Sequence, residues 1–352
     1  MIRRALLAIG AVLVSITSLD VLTRRASRRL LEAPRTTPEE AGLGPAIDAL
    51  GGEVVRIRSR DGLRLAGRWL AAERGDPTWN PDPREAILLL HGWSGSIAPD
   101  LVEYGPFLRR TAGVLGLDFR GHGDSDDSPT TFGLREVEDV AGALAWLGER
   151  GIERVALFGT SLGGITAIAA VAVLGDGSMP GADADPAAPA HVAPARRPRI
   201  VAVVADSVAP ELAVAVGSRV PGSRMPGPWP RLVADRLLVS AARFLGADPR
   251  ETEPIRVIGL LEGVSVLLIF GGRDVTVPLA DARRLVAAAP PATEHWEVAD
   301  AEHAAAHRTD PTGYESRTTR HLRAAFVRCR ESDPIIGAPA HVPAEPGDSQ
   351  ED

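Results

Sequence analysis

A serine hydroxyl is a weak nucleophile unless a neighbouring base takes its proton, so Ser161 matters only through its surroundings. It lies in Gly159-Thr160-Ser161-Leu162-Gly163, between the apolar run Val155 to Phe158 and the helix-like stretch Leu162 to Val171. A serine on a strand-to-helix turn takes a strained backbone, and flanking glycines let strand and helix approach without a Cβ clash. Such a turn exposes the hydroxyl at the top of a sheet. Acyl transfer there needs three further parts: an imidazole base, a carboxylate to fix its tautomer, and two N–H groups aimed at the developing oxyanion. His303, in "ADAEHAAAH" after the short strand His295 to Val298, sits at loop distance from a strand end and is favoured over His307, four residues on. Asp274 follows "SVLLIFGGRD" on a Gly-rich loop, one strand before the histidine, and is favoured over its competitor Asp206. The donors expected are the main-chain N–H groups of Leu162 and of Trp93, in "LLLHGW", with His91 a structural residue that orients the loop.

These residues fall after different strands, and an α/β sheet places its ligand crevice at the carboxyl ends of its strands. "AILLL", "VLGLDF", "RVALF", "IVAVVA" and "SVLLIF" are short apolar runs that suit strands buried on both faces. Helix-like stretches lie among them, at 134–149 and 279–289, which predicts a mostly parallel sheet with helices on both sides. "EVVRIRS" and "LRLAGRWL" alternate apolar and polar residues around Arg60-Asp61-Gly62, predicting a hairpin at one edge. A hydrolytic domain is thus expected over 53–332. Within it, 208–263 is expected to form a small lid with a helix at 231–245, and 175–198, rich in Ala, Pro, Asp and Gly, a disordered insertion. Residues 31–52 read as a linker and 333–352 as a disordered tail.

A chain of 352 residues has room for a large core, and a net charge of −7 carries no electrostatic footprint for nucleic acid. The arginine clusters at 24–29 and 196–197 are not interleaved with aromatics. The lone Cys329 permits no intrachain disulfide and no cysteine-based zinc site, and the eight histidines show no metal-ligand spacing. Residues 1–30 hold the apolar stretch Ala5 to Leu22 and a basic flank. At about 1.5 Å per residue the stretch reaches the lower limit of a spanning helix. An uncleaved anchor is favoured over a cleaved signal peptide, because Ser15-Ile16-Thr17-Ser18 is a poor cleavage site, and over a buried soluble helix. The arginines after the segment lean the catalytic domain toward the cytoplasm; cleavage would instead give a secreted protein.

Taken together, the motifs resemble those of the α/β-hydrolases. Besides the serine turn and "HGW", "LDFRGHGDSD" is similar to that family's loop after the next strand, and "GGRDVTVP" to its acid loop. The resemblance spans about 53 to 330 and is nearest the small-lidded, serine-aminopeptidase-like and dienelactone-hydrolase-like branch, from which the 175–198 insertion departs. It implies an α/β-hydrolase fold and a serine hydrolase cleaving a carboxylic ester through an acyl-enzyme, needing no metal or organic cofactor. His122 is carried over as a structural residue only. Two alternatives stand beside it: a peptidase or amidase on the same residues, with a lid carboxylate such as Glu211 reading a substrate amine, and a non-catalytic binding scaffold. Neither substrate identity nor oligomeric state follows from the sequence.

Overall fold

The computed structural model describes residues 20–32, 35–93, 95–177, 197–223 and 227–332. Residues 1–19 of the expected anchor and flank (1–30), most of the 175–198 insertion and the 333–352 tail lie outside these described residues. Among the described residues no helix is long and apolar enough to cross a membrane.

The chain opens with α1 (20–31) and α2 (Gly44–Leu50), then the hairpin β1 (Glu53–Arg58) and β2 (Arg64–Leu70). There follow β3 (Glu85–Leu90), α3 (Ala98–Leu108), β4 (Gly113–Leu117), α4 (Glu136–Glu149), β5 (Arg154–Thr160), α5 (Leu162–Leu174) and β6 (Arg199–Asp206). The lid carries α6 (Leu212–Gly217), α7 (Trp229–Leu245) and α8 (Pro254–Val257). The chain closes on β7 (Ser265–Gly271), α9 (Leu279–Ala288), β8 (Glu294–Val298), α10 (Ala306–Thr309) and α11 (Pro311–Ser332).

Eight strands form one sheet in the order β1-β2-β4-β3-β5-β6-β7-β8. The hairpin pairs antiparallel at one edge, and β3 to β8 run parallel. Every residue of β3, β4 and β5 is buried, as uninterrupted apolar runs in a covered parallel sheet require. Alternate side chains feed two cores. Leu88, Leu90, Leu115 and Leu157 pack under α4, α5 and the lid. Ile87, Leu89, Val114 and Phe158 pack under α3 and α11.

Three boundaries differ from the sequence reading. Residues 31–52 are more than a linker: Leu31 is in the core, Thr130 N–H donates to its carbonyl at 2.9 Å, and α2 buries Ile47. The helix expected from 134 begins at Glu136, because that carboxylate turns back to accept from the Thr131 and Gly133 N–H groups at 2.7 and 2.9 Å. The lid helix starts two residues early, at Trp229, with Pro230 in its first turn, and ends on Gly246 in the left-handed conformation.

Candidate active site

Ser161 joins β5 to α5 with φ 48° and ψ −108°, a conformation that costs a non-glycine residue roughly 1–3 kcal/mol. The turn is held from both sides. A Cβ on Gly159 would overlap the Gly163 backbone, and one on Gly163 would overlap the Leu90 carbonyl at the end of β3. Ser161 N–H donates to the Asp206 carbonyl at 2.8 Å, and Ile165 N–H donates to the Ser161 carbonyl at 3.0 Å. The packing of two neighbouring strands and a helix N-terminus therefore fixes where the hydroxyl stands.

His303 lies between β8 and α10, with its Nε2 3.0 Å from Ser161 Oγ and its Nδ1 2.7 Å from Asp274 Oδ2. The other Asp274 oxygen accepts the Thr276 and Val277 N–H groups at 2.7 and 2.8 Å. A carboxylate only accepts, so Nδ1 carries the proton and Nε2 presents a lone pair to the hydroxyl. The three residues predicted from sequence are thus brought into one hydrogen-bonded line.

The two donors expected from sequence adjoin residues of the serine turn in the chain or by packing. Leu162 is the first residue of α5, where main-chain N–H groups lack intrahelical acceptors. Gly92 packs against the serine turn, where a Cβ would sit 3.7 Å from the Ser161 Cβ, and Trp93 follows it in the chain. His91 is buried and structural. Its Nε2 accepts the Phe119 N–H at 3.1 Å, so Nδ1 donates to the Gly92 carbonyl at 2.6 Å, and burial drives its pKa well below the usual range. His122 is likewise buried, with Nδ1 3.0 Å from the Arg120 carbonyl. His307 is engaged elsewhere, 3.2 Å from Glu103 and 3.3 Å from Glu315.

The fold matches known proteins. Residues 87–316 fit the model of the alpha/beta hydrolase family. The chain belongs to that family. Membership supports hydrolysis as its class of chemistry. This hydrolase is 26% identical to the uncharacterised protein YfhR of Salmonella typhi over 257 residues, 71% of this chain and 74% of the relative. The Pyrococcus furiosus esterase Pf2001 superposes with a TM-score of 0.57 at 20% identity, covering 83% of this chain and 98% of that one. The alpha/beta hydrolase GrgF of a Penicillium species gives a TM-score of 0.54 at 17% identity, covering 79% of this chain and all of the other.

Ser207, Tyr314, Asp100 and Leu30 escaped the sequence reading, whereas Asp206 and Glu211, both weighed there, turn out to be engaged elsewhere. Asp206, the competing acid, is buried and accepts from Ser207 Oγ at 2.8 Å and Tyr314 OH at 2.9 Å. Ser207, itself at φ 57°, accepts the Ala304 N–H at 2.9 Å, so this chain of bonds pins the residue next to His303. Burial pushes the Asp206 carboxyl up to about 6. Asp100, near Thr160 at 3.4 Å, is pushed by burial to about 7, with Glu103 adding to the effect. Glu211, the lid carboxylate suggested for a substrate amine, is paired instead with Arg284 of α9 at 2.7 and 3.1 Å. A short apolar pocket beside Ser161 is walled by Trp93, Phe132, Ile165, Leu212, Val216 and, from α1, Leu30, with Arg219 at its rim.

Proposed function

We propose that the protein hydrolyses carboxylic esters through an acyl-enzyme on Ser161. The observation that carries this reading is the unbroken line of hydrogen bonds from Asp274 through His303 to Ser161, at 2.7 and 3.0 Å. As Ser161 Oγ attacks the ester carbonyl, His303 Nε2 takes its proton, and Asp274 stabilises the imidazolium formed. The tetrahedral oxyanion is held by the main-chain N–H groups of Leu162 and Trp93. His303 then gives the proton to the departing alkoxide, leaving an ester between the acyl group and Ser161. Water activated by His303 attacks that ester and releases the acid. The esterase among the structural relatives is consistent with this chemistry.

Ser161→Ala should lower turnover of a p-nitrophenyl ester by on the order of 10⁶. Unchanged turnover would end the proposal. A fluorophosphonate probe should label wild type and leave the alanine variant unlabelled; a non-catalytic scaffold would take no label in either. The amidase reading is weaker, because Glu211 already has a cationic partner. For localisation we propose anchoring through the apolar N-terminal stretch, with the catalytic domain cytoplasmic. Carbonate extraction should leave the protein in the membrane pellet, and full release would refute the anchor.

A further inference from the structure

Helix α7 crosses the carboxyl end of the sheet. Arg231 at its start binds Asp281 of α9 at 2.6 Å, and the Leu245 carbonyl at its end accepts from Arg135, just before α4, at 2.9 Å. Helices α9 and α4 both begin beyond the carboxyl ends of their preceding strands, β7 and β4. Ala234, Leu238, Ala241 and Leu245 are the buried stripe of α7. Leu232, Arg236, Val239 and Arg243 recur at helical spacing on the opposite side, and all four are exposed. Helix α1 packs on the flank of α7, where Ser27 meets the Leu237 carbonyl and Arg28 lies over Phe244. It buries Ser27 and Leu31 and turns Leu22, Arg25 and Arg29 outward. Both outward faces thus set large apolar side chains among arginines. Leu22, Leu232 and Phe244 are 60%, 63% and 51% exposed, so more than half of each apolar surface is left to whatever lies outside. The chain as a whole carries a net charge of −7, yet these faces are basic. The acids of the two helices are Asp20, which pairs with Arg24 at 2.8 Å, and Asp235. Arg25, Arg28, Arg29, Arg236 and Arg243 have no carboxylate partner among the described residues.

Resting on the anchor reading above, we propose that the outward faces of α1 and α7 lie on the bilayer that holds the anchor, with their arginines on anionic phospholipid headgroups. The apolar stretch of the leading segment ends on Leu22, in the first turn of α1, so an anchor in the bilayer delivers α1 to its surface. Neither α1 nor α7 is long and apolar enough to cross a membrane, as suits helices that lie in the interface plane. There Leu22, Leu232, Val239 and Phe244 enter the boundary between headgroups and acyl chains, while the arginine stems reach back to the phosphates. Each arginine held near an anionic surface strengthens such docking by about fivefold at moderate salt. A twofold dimer through the same faces would set arginine against arginine, which disfavours a second copy as the occupant.

The test places a fluorophore on Leu232→Cys in the full-length protein; the native Cys329 is buried. Leu260→Cys is the control, exposed just before β7 at the opposite, amino end of the strands. Each labelled protein is combined with vesicles that contain a nitroxide-bearing lipid in phosphatidylcholine, with or without phosphatidylglycerol. Position 232 should be quenched several-fold more in the vesicles with phosphatidylglycerol, and position 260 in neither. Raising the salt concentration should reverse the quenching. Arg25→Gln, Arg29→Gln, Arg236→Gln and Arg243→Gln combined should abolish it while leaving ester turnover in detergent unchanged. A protein that stays in the carbonate pellet without quenching at 232 overturns the proposal, as does quenching indifferent to phosphatidylglycerol and to the four arginines. A fluorescence change at 232 that follows protein concentration without lipid would give the face to a second copy, and also overturns it. Failure of the anchor looks different: carbonate releases the protein, and quenching at 232 with phosphatidylglycerol still decides the docking.

Discussion

At the scale of single residues, the site depends on which proton sits where. His303 presents a lone pair to Ser161 only because Asp274 holds the other ring proton, so His303→Ala should cost turnover by on the order of 10⁶. His307→Ala, four residues on and tied to Glu103 and Glu315, should lose far less. Assaying the two variants side by side with a p-nitrophenyl ester distinguishes them. Asp206 gives a pH prediction. Its folded pKa is raised from the usual 3.8 to about 6, so the native state binds the proton more tightly than the unfolded chain. The stability linked to this proton is complete below about pH 4 and is lost as the pH rises through about 6. The gap converts to about 3 kcal/mol. Urea unfolding of wild type and Asp206→Asn should therefore diverge by about that amount between pH 4 and pH 7, with wild type losing ground. A constant difference across the window would refute the assignment.

Secondary elements bring these residues together, and their contacts are close enough to test. Gly163→Ala should drive its new methyl into the Leu90 carbonyl and displace either β3 or the serine turn. The expected cost is about 1–3 kcal/mol or more, read as a lowered unfolding midpoint, with the proposed ester hydrolysis lost alongside. Arg120 is the other joint. Its buried guanidinium takes Asp139 of α4 at 2.7 Å and the hairpin residue Asp61 at 2.8 Å, tying the leading hairpin, the loop after β4 and α4 together. Arg120→Met strands the buried Asp139 charge and should cost about 3–5 kcal/mol in chemical unfolding. Asp61→Asn should cost less, since Asp61 is partly in water.

The same elements show why some of the molecule could be read in advance. A parallel strand buried on both faces is written as an apolar run with turn residues at each end, so β3 to β7 were legible. The Ser, Asp and His positions followed because each closes or trails such a run. Helix α3 was not legible, because Gly105 and Pro106 stand inside it; the proline falls in the last turn, where the helix is about to end. Nor was Asp139, since charged residues in a helix ordinarily face water and only the tertiary fold brings the Arg120 guanidinium that allows its burial; the Glu136 carboxylate is held locally, by the Thr131 and Gly133 N–H groups just before it, a pattern the sequence reading missed. Arg219 and Trp93 meet across more than a hundred residues of chain, a distance no local pattern encodes.

Over the whole molecule, the N-terminal helix belongs to the catalytic body. Ser27 Oγ donates to the Leu237 carbonyl of the lid helix at 3.0 Å, Arg28 lies over Phe244 at 5.3 Å, and Leu30 completes the pocket wall. Leu30→Ala should lengthen the pocket and raise relative kcat/KM for longer acyl chains by about tenfold, within what a methylene or two is worth in an apolar pocket. An ester series of graded length checks this, and an unchanged profile would remove Leu30 from the wall.

That wall has a provenance of its own. The stretch shared with the family begins at residue 87, while Leu30 stands well upstream of it. Ser161 lies inside that stretch, whereas part of the pocket wall beside it comes from the leading segment outside it. Exchanging this leading segment is therefore a direct way to ask how far it shapes the space beside the serine.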